Sequence, residues 1–306
     1  MEKKSLQVFV KKLILILAIL IISDQICGHI LRYFYFKQVW GKNHQLTLTI
    51  DSIKTDLLVI GSSRATHHYV PEFFEEKLKM SFYNCGSEGN FILFGYGIFK
   101  SIIYRYNPKI IIFDLIPNQL AYDNLDYERL SNLLPYYKDH YELKDIIELR
   151  SPFEKYKLYS SVYPFNSLLI NMMNCNLESK KNKYEIHKGY MPLYNKMNCI
   201  KANNFLKKPF GEIDKNKIDA LNDIAATCKK KKIRLVFVYS PIFSNSPDSI
   251  ETKIIEDISK TQKCQYFDFS NDSTFDNHPE YFDDNFHLND NGARKFSEMF
   301  SKLLQG

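Results

Sequence analysis

"TDLLVIGSSRATHHY", residues 55–69, decides how the rest of this chain is read. A run of large apolar residues, Leu57 to Ile60, stops at Gly61, and two serines and an arginine follow. So short an apolar run, without polar alternation, predicts a strand buried on both faces. Ser63 is then either a small residue in a tight turn or a nucleophile displayed at the tip of that strand.

The same rhythm recurs on either side of this stretch. "PEFFEEKLKM" predicts a helix opened by Pro71, with acids in its first turns. "SFYNCG" predicts a second strand, "NFILFGYGIFKSIIYRY" an apolar helix, and "KIIIFDLI" a third strand ended by Pro117. From residue 120 to about 210 no comparable β-branched run occurs, yet 11 of the 21 tyrosines lie between Tyr122 and Tyr194. The rhythm resumes with a helix from Ile213 to Lys231, the strand "IRLVFVYS", a helix near Glu251 to Ser259, "CQYFDFS", and a last helix from Asp290 with its start near Asn289. Strands alternating with helices predict an α/β fold of three layers, α/β/α, around a parallel sheet. The expected division is 55–119 and 211–306 for two parts of one sheet domain, with 120–210 as a helical, tyrosine-rich insertion.

The N-terminus carries a different signal. Lys3, Lys4, Lys11 and Lys12 lead into "LILILAILIISDQICGHI", whose uninterrupted apolar part is Leu13 to Ile22. Extended to Ile30 it has 18 residues, roughly 27 Å as a helix. "SDQICGH" is a poor cleavage site for a signal peptide, and Asp24-Gln25-Ile26 is not the small-residue lead of a lipoprotein cysteine. The expectation is an uncleaved signal anchor at 13–30, with 1–12 cytoplasmic, 31–54 a connector, and the sheet domain outside the cytoplasm. Asp24 then falls near the outer end, solvated by water or headgroups. The cytoplasmic membrane is therefore one expected partner.

Composition narrows the remaining classes. A net charge of +6, with lysines grouped at the N-terminus and in Lys229 to Lys232, makes no continuous basic face for nucleic acid. Of the six cysteines, Cys85 and Cys228 read as small buried residues, and Cys175 and Cys199 are the candidate pair for a disulfide. No CxxC spacing supports a cysteine-built metal site.

In an open parallel sheet, functional groups collect beyond the carboxyl ends of the strands. Those ends carry Gly61-Ser62-Ser63, Asn84-Cys85-Gly86, Asn118 and, after the last strand, "FDDNFHLNDNGARKF" with Asp284 and His287. A serine hydroxyl needs an imidazole to take its proton, and that imidazole needs a carboxylate on its other nitrogen. Ser63, His287 and Asp284 fill these roles. Asp283 competes with Asp284 for the third. Oxyanion donors would be the backbone N–H groups of Ser63 and Gly86 with the Asn118 amide.

These residues resemble the blocks of the SGNH, or GDSL-like, hydrolase superfamily. Gly61-Ser62-Ser63 matches the first block with Ser62 in place of its Asp, and Asn84 to Gly89 matches Asn-x-Gly-x-x-Gly. Asp284 to Gly292 matches Asp-x-x-His-Leu-Asn-x-x-Gly in full, whereas Ile116-Pro117-Asn118-Gln119 keeps only the asparagine of the third block. The resemblance covers 56–118 and 233–304. It implies a flavodoxin-like SGNH fold and a serine esterase, with an acyl-enzyme and no metal or organic cofactor. With the anchor and "GSSRA", the chain is similar to membrane-tethered members linked to modification of cell-surface polysaccharide. That implies O-acyl, in particular O-acetyl, groups of a glycan as substrate, by hydrolysis or transfer. A non-catalytic glycan-binding scaffold of a synthesis or export complex, and a lipid esterase or thioesterase, remain as alternatives.

The other polar residues have plainer readings. His67 and His68 point in different directions and are expected to be exposed or to stand behind the site. Arg64 either meets an acidic substrate group or pairs with Glu88. Asp114, inside a strand, needs a structural hydrogen bond. Tyrosines of the insertion suit stacking on sugar rings, although most would pack the insertion's own core. "HKGYMPLYN", residues 187–195 with Tyr190, is the loop expected to reach the active site and bind substrate.

Overall fold

The computed structural model describes residues 2–177, 187–197, 211–243 and 249–305, and these fall into two compact units. One unit joins residues up to 47 with those from 131 to 177, and the other contains 48–130 and the described residues from 187 onward. The insertion expected over 120–210 is therefore divided. Its ends belong with the sheet, because Tyr122 N–H donates to Glu212 O (2.7 Å), Asp214 N–H to Leu120 O (2.8 Å), and Asn84 N–H to Lys188 O (2.9 Å). Cys199 lies outside the described residues, and with it the candidate disulfide to Cys175.

In chain order the helices α1 (Glu2–Phe36) and α2 (Lys42–Thr47) come first. The sheet unit continues with β1 (Leu57–Ile60), α3 (Ser63–His68), α4 (Pro71–Leu78), β2 (Phe82–Asn84), α5 (Ile92–Arg105), β3 (Ile110–Asp114) and α6 (Asn124–Arg129). Then come α7 (Lys144–Glu148), α8 (Glu154–Lys157) and α9 (Leu169–Leu177), all in the first unit. The sheet unit closes with α10 (Lys215–Lys231), β4 (Arg234–Tyr239), α11 (Ser249–Gln262), β5 (Gln265–Asp268) and α12 (Asp290–Leu303).

The five strands form one parallel sheet in the order β2-β1-β3-β4-β5. Leu57 is level with Phe82 on one side and with Ile110 on the other. The chain leaves β1 for β2 and then crosses back to β3, so the point where the strand order reverses, where such sheets place their sites, lies beyond the carboxyl ends of β1 and β3. Residues of alternating parity serve the two faces. Leu57, Val59, Ile110, Ile112, Val236 and Val238 join a cluster with Tyr69, Phe74, Phe296 and Phe300, where α12 packs against α3 and α4. Ile60 and Phe113 instead lie against Gly95 of α5, and α5 packs on α10, which packs on α11. Helices on both faces complete the expected three-layer fold. The helix expected from Ile213 starts two residues later, because Asp214 caps it by accepting from Asn216 N–H (2.9 Å).

The first unit is built on α1, which is 35 residues long and so extends past both ends of the expected span at 13–30. It contains an unburied stretch of mean hydropathy 2.4, the one candidate membrane span among the described residues. Asp24 is solvated by neither water nor headgroups alone. Its carboxylate accepts from the Ser160 hydroxyl, from Ser161 N–H (2.7 Å) and from Val162 N–H (3.5 Å).

Residues 187–197 form a strap in the sheet unit. Besides its bond to Asn84, Met191 N–H donates to Thr66 O (3.0 Å), Asn195 N–H to Asp283 Oδ1 (3.1 Å), and Leu193 O accepts from Asp290 N–H (2.7 Å). Gly189 has φ +85°, and a Cβ there would overlap Asn84 O. Both features demand glycine. Gly189→Ala is expected to cost about 1–3 kcal/mol in a denaturant titration, since strain and backbone overlap act together.

Candidate active site

Ser63 opens α3 directly beyond β1, and His287 lies on the loop before α12. His287 Nε2 is 2.7 Å from Ser63 Oγ, and His287 Nδ1 is 2.8 Å from Asp284 Oδ2. The carboxylate can only accept, so Nδ1 carries the proton and Nε2 accepts from the serine hydroxyl. Asp284 is held by a turn of its own, with Oδ1 accepting from Phe286 N–H (2.7 Å) and His287 N–H (2.9 Å). Burial pushes the Asp284 carboxyl up, but the His287 hydrogen bond and charge and the two N–H donors outweigh it and hold the group below its ordinary value. Asp283 is not at the imidazole: its N–H donates to His287 O (2.9 Å) and its side chain accepts from Asn195. The loop is pinned by Asn289, which donates to Glu280 O (2.8 Å) and Phe282 O (3.2 Å) while accepting from Gly292 N–H (3.1 Å) as the cap of α12.

Behind the histidine stands a buried polar cluster. Leu288 N–H donates to His68 Nε2 (2.9 Å), so His68 Nδ1 carries the proton and donates to Ser240 Oγ (2.9 Å) at the end of β4. Burial, then the charges of Arg64, His287 and His67, keeps His68 well below its ordinary pKa and so neutral. Far from being exposed, His67 and His68 are both buried. His67 Nδ1 donates to Met191 O (2.6 Å) on the strap, and its Nε2 faces Glu88 Oε1 (3.2 Å).

Arg64 is placed by the structure with neither of its expected partners. It is 1% exposed, donates from Nε to Ser240 Oγ (3.1 Å) and from Nη2 to both oxygens of Ser240, and lies 3.8 Å from Asp114 Oδ1. Asp114 accepts from the Tyr69 hydroxyl, and its burial raises its pKa. On a helix whose other side chains are also buried, the residue after Ser63 points into the protein. Tyr190 is likewise 3% exposed, in the core cluster, with its hydroxyl donating to Asp290 Oδ1 (2.8 Å). Its ring belongs to the core and not to an open surface.

The oxyanion side differs from expectation. Gly86 N–H donates to Asn84 Oδ1 (2.8 Å) within its own loop, while Asn84 Nδ2 donates to Ala65 O (2.6 Å). Glycine is needed there because α3 comes close: a Cβ would stand 2.5 Å from Thr66 N. Ser63 N–H, at the first position of α3, has no intrahelical carbonyl to meet. Asn118 has an exposed side chain and a left-handed backbone (φ 64°). Its turn is fixed by Glu251 of α11, which accepts from Asn118 N–H (2.6 Å) and Leu120 N–H (2.9 Å). Burial lifts the Glu251 carboxyl to about 7 against the pull of the backbone donors of residues 118–120. Among the described residues, no group of three or more His, Cys, Asp and Glu side chains is arranged to hold a metal ion.

Sequence reading missed Ser240 and Glu251. Ser240 had a usable signal, since it stands at a strand's carboxyl end like the other site residues. Glu251 had none, because only the fold brings α11 to the turn after β3.

No family model and no curated protein matches the chain. Solved structures to which the chain shows similarity include a candidate lipolytic protein of the G-D-S-L family from Desulfitobacterium hafniense, at 10% identity and TM-score 0.39 over 82% of this chain and 99% of that one. Another is a candidate platelet activating factor from Streptococcus pneumoniae, at 9% identity and TM-score 0.44 over 95% and 97%. A third is a candidate acylhydrolase from Bacteroides fragilis, at 10% identity and TM-score 0.41 over 87% and 98%. At such identities and TM-scores, the activity of this chain has to be judged from its own residues.

Proposed function

We propose that this chain is an SGNH-type serine esterase, tethered to a membrane by α1, that acts on O-acyl groups of an extracytoplasmic polysaccharide, O-acetyl foremost. The observation that carries the reading is the continuous line from Ser63 Oγ to His287 Nε2 at 2.7 Å and from His287 Nδ1 to Asp284 at 2.8 Å. Ser63 Oγ would attack the ester carbonyl carbon as its proton passes to His287 Nε2, and Asp284 would steady the imidazolium. Ser63 N–H is the backbone donor left for the oxyanion. The carbonyl carbon's bond to the sugar oxygen then breaks, and His287 returns the proton to that oxygen. Water, or a hydroxyl of another sugar, attacks the acyl-serine with His287 again taking the proton, and Ser63 is regenerated. The glycan assignment is supported by the resemblance of the blocks and by an apolar N-terminal helix ahead of a catalytic unit. Lysines at the start of α1 support a cytoplasmic N-terminus.

A second reading, a glycan-binding scaffold without turnover, is favoured by the oxyanion side, where Gly86 N–H is engaged by Asn84. One experiment separates the two. Full-length protein in detergent is treated with a fluorophosphonate probe, and the adduct is mapped by mass spectrometry. Labelling at Ser63, lost in Ser63→Ala, together with cleavage of activated acetate faster than long-chain esters, is the expected result. A folded protein that takes no label is the scaffold, and a preference for long chains makes it a lipid esterase.

A further inference from the structure

Most tyrosines of the insertion were expected to pack its own core, but α8 and its flanks carry a different pattern. Phe153, Tyr156 and Tyr159 are 66%, 55% and 78% exposed, while Glu154 and Leu158 between them are buried. A spacing of three places the aromatics on one side of this short helical segment, and the Tyr156 and Tyr159 rings are 6.5 Å apart. Lys155 is exposed beside them with its Nζ over the Tyr156 ring, whereas the Lys157 ammonium turns back to pair with Glu154 (3.1 Å). Single exposed apolar residues are ordinary, but a cluster of three with a flanking lysine is not.

The height of this cluster along α1 is set by direct bonds. Gln25 Nε2 donates to Tyr159 O (3.4 Å), Ser161 Oγ donates to Gln25 Oε1 (2.7 Å), and Ser160 to Val162 surround Asp24. From Lys12 to Asp24 is 12 residues, about 18 Å of helix, against a hydrocarbon core of about 30 Å. If Lys12 marks one edge of that core, the other edge lies beyond Asp24, towards Arg32. If the helix is shifted so that Asp24 itself marks the edge, Tyr159 stands there with it. The first placement would sink Asp24 and Tyr159 about 12 Å into hydrocarbon together with the exposed Lys155, so the second is favoured. There the 153–159 segment meets the bilayer at the level where tyrosine rings and lysine ammonium groups partition, rings at the headgroup boundary and charges towards phosphate.

We propose that Phe153, Tyr156 and Tyr159, with Lys155, form a face that docks onto the headgroup layer of the bilayer that α1 crosses. This rests on the membrane tether proposed above. The helical part of the insertion in the first unit is then a collar on the anchor: it shields Asp24 from lipid and rests on the bilayer surface around α1.

The test uses the full chain in phosphatidylcholine–phosphatidylglycerol vesicles with brominated acyl chains. The single tryptophan, Trp40, is first replaced (Trp40→Phe). Tryptophan is then placed singly by Tyr156→Trp, Tyr159→Trp, Leu20→Trp in the span, and Tyr104→Trp, which is 73% exposed in the sheet unit. Emission at 156 and 159 should be quenched and blue-shifted, though less than at 20, with no change at 104. Quenching at 20 with none at 156 and 159 would overturn the docking face while leaving the tether. Absence of quenching at 20 would remove the tether and the face together. Protection of 156 and 159 from iodide by added acetylated polysaccharide, without quenching by brominated lipid, would reassign the face to sugar.

Discussion

Ser63→Ala and His287→Ala are each expected to lower kcat for an activated acetate ester by about 10⁶, and the double variant by no more than either alone. The reason is that the two side chains act as one device. A hydroxyl 2.7 Å from Nε2 is a nucleophile only while the imidazole can take its proton, and the imidazole has no other role in the attack. Asp284→Asn should cost less, at most about 10⁴. Its side chain is 52% exposed, so solvent screens part of its charge, and its main contribution is to hold the tautomer and ring of His287. Acidity separates the roles further. The Asp284 pKa is lowered in the folded protein from an ordinary 3.8, so the stability this carboxylate contributes is present above that value and is lost as pH falls through the folded one. The difference in melting temperature between the parent and Asp284→Asn should therefore not shrink from pH 7 down to about 5. A gap that closes across that range would mean that Asp284 is not held ionised by His287.

The features that were legible in the sequence are those fixed by neighbours along the chain. Leu57 to Ile60 are buried on both faces because four apolar residues in a row leave no polar side to turn outward. Asp284 and His287 are three residues apart in a turn that Asp284 closes itself, and Asn289 caps the following helix. Features that depend on distant partners were not legible. Arg64 looked destined for an acidic substrate group or for Glu88 because its acceptor, Ser240, lies 176 residues further on. Asp24 looked destined for headgroups because Ser160 is 136 residues away. Gly86 looked like an oxyanion donor because it follows a strand's carboxyl end and a glycine lets the backbone approach closely, with Asn84 two residues before it. The same spacing lets Asn84 Oδ1 capture the Gly86 N–H, and the need for glycine there comes from Thr66 on the neighbouring helix.

Arg64→Met is expected to destabilise the protein by about 3–5 kcal/mol, because it removes the charge facing a fully buried Asp114 and takes the donors away from Ser240. Arg64→Lys should recover little, since an ammonium cannot reproduce a fork that reaches Ser240 Oγ from two nitrogens. Arg64→Met combined with Asp114→Asn should lose less than Arg64→Met alone, because no unpaired carboxylate then remains buried. The kinetic consequence follows from the same bonds. Ser240 orients His68, and His68 Nε2 holds the N–H of Leu288, the residue after His287. Loosening Ser240 therefore misplaces the imidazole without touching substrate, and kcat should fall while KM is unchanged. An arginine that bound an acidic substrate group would behave in the opposite way, with KM raised and the urea midpoint unmoved. Urea titration and steady-state kinetics on the same three variants thus decide between a residue that builds the site and one that recognises what enters it.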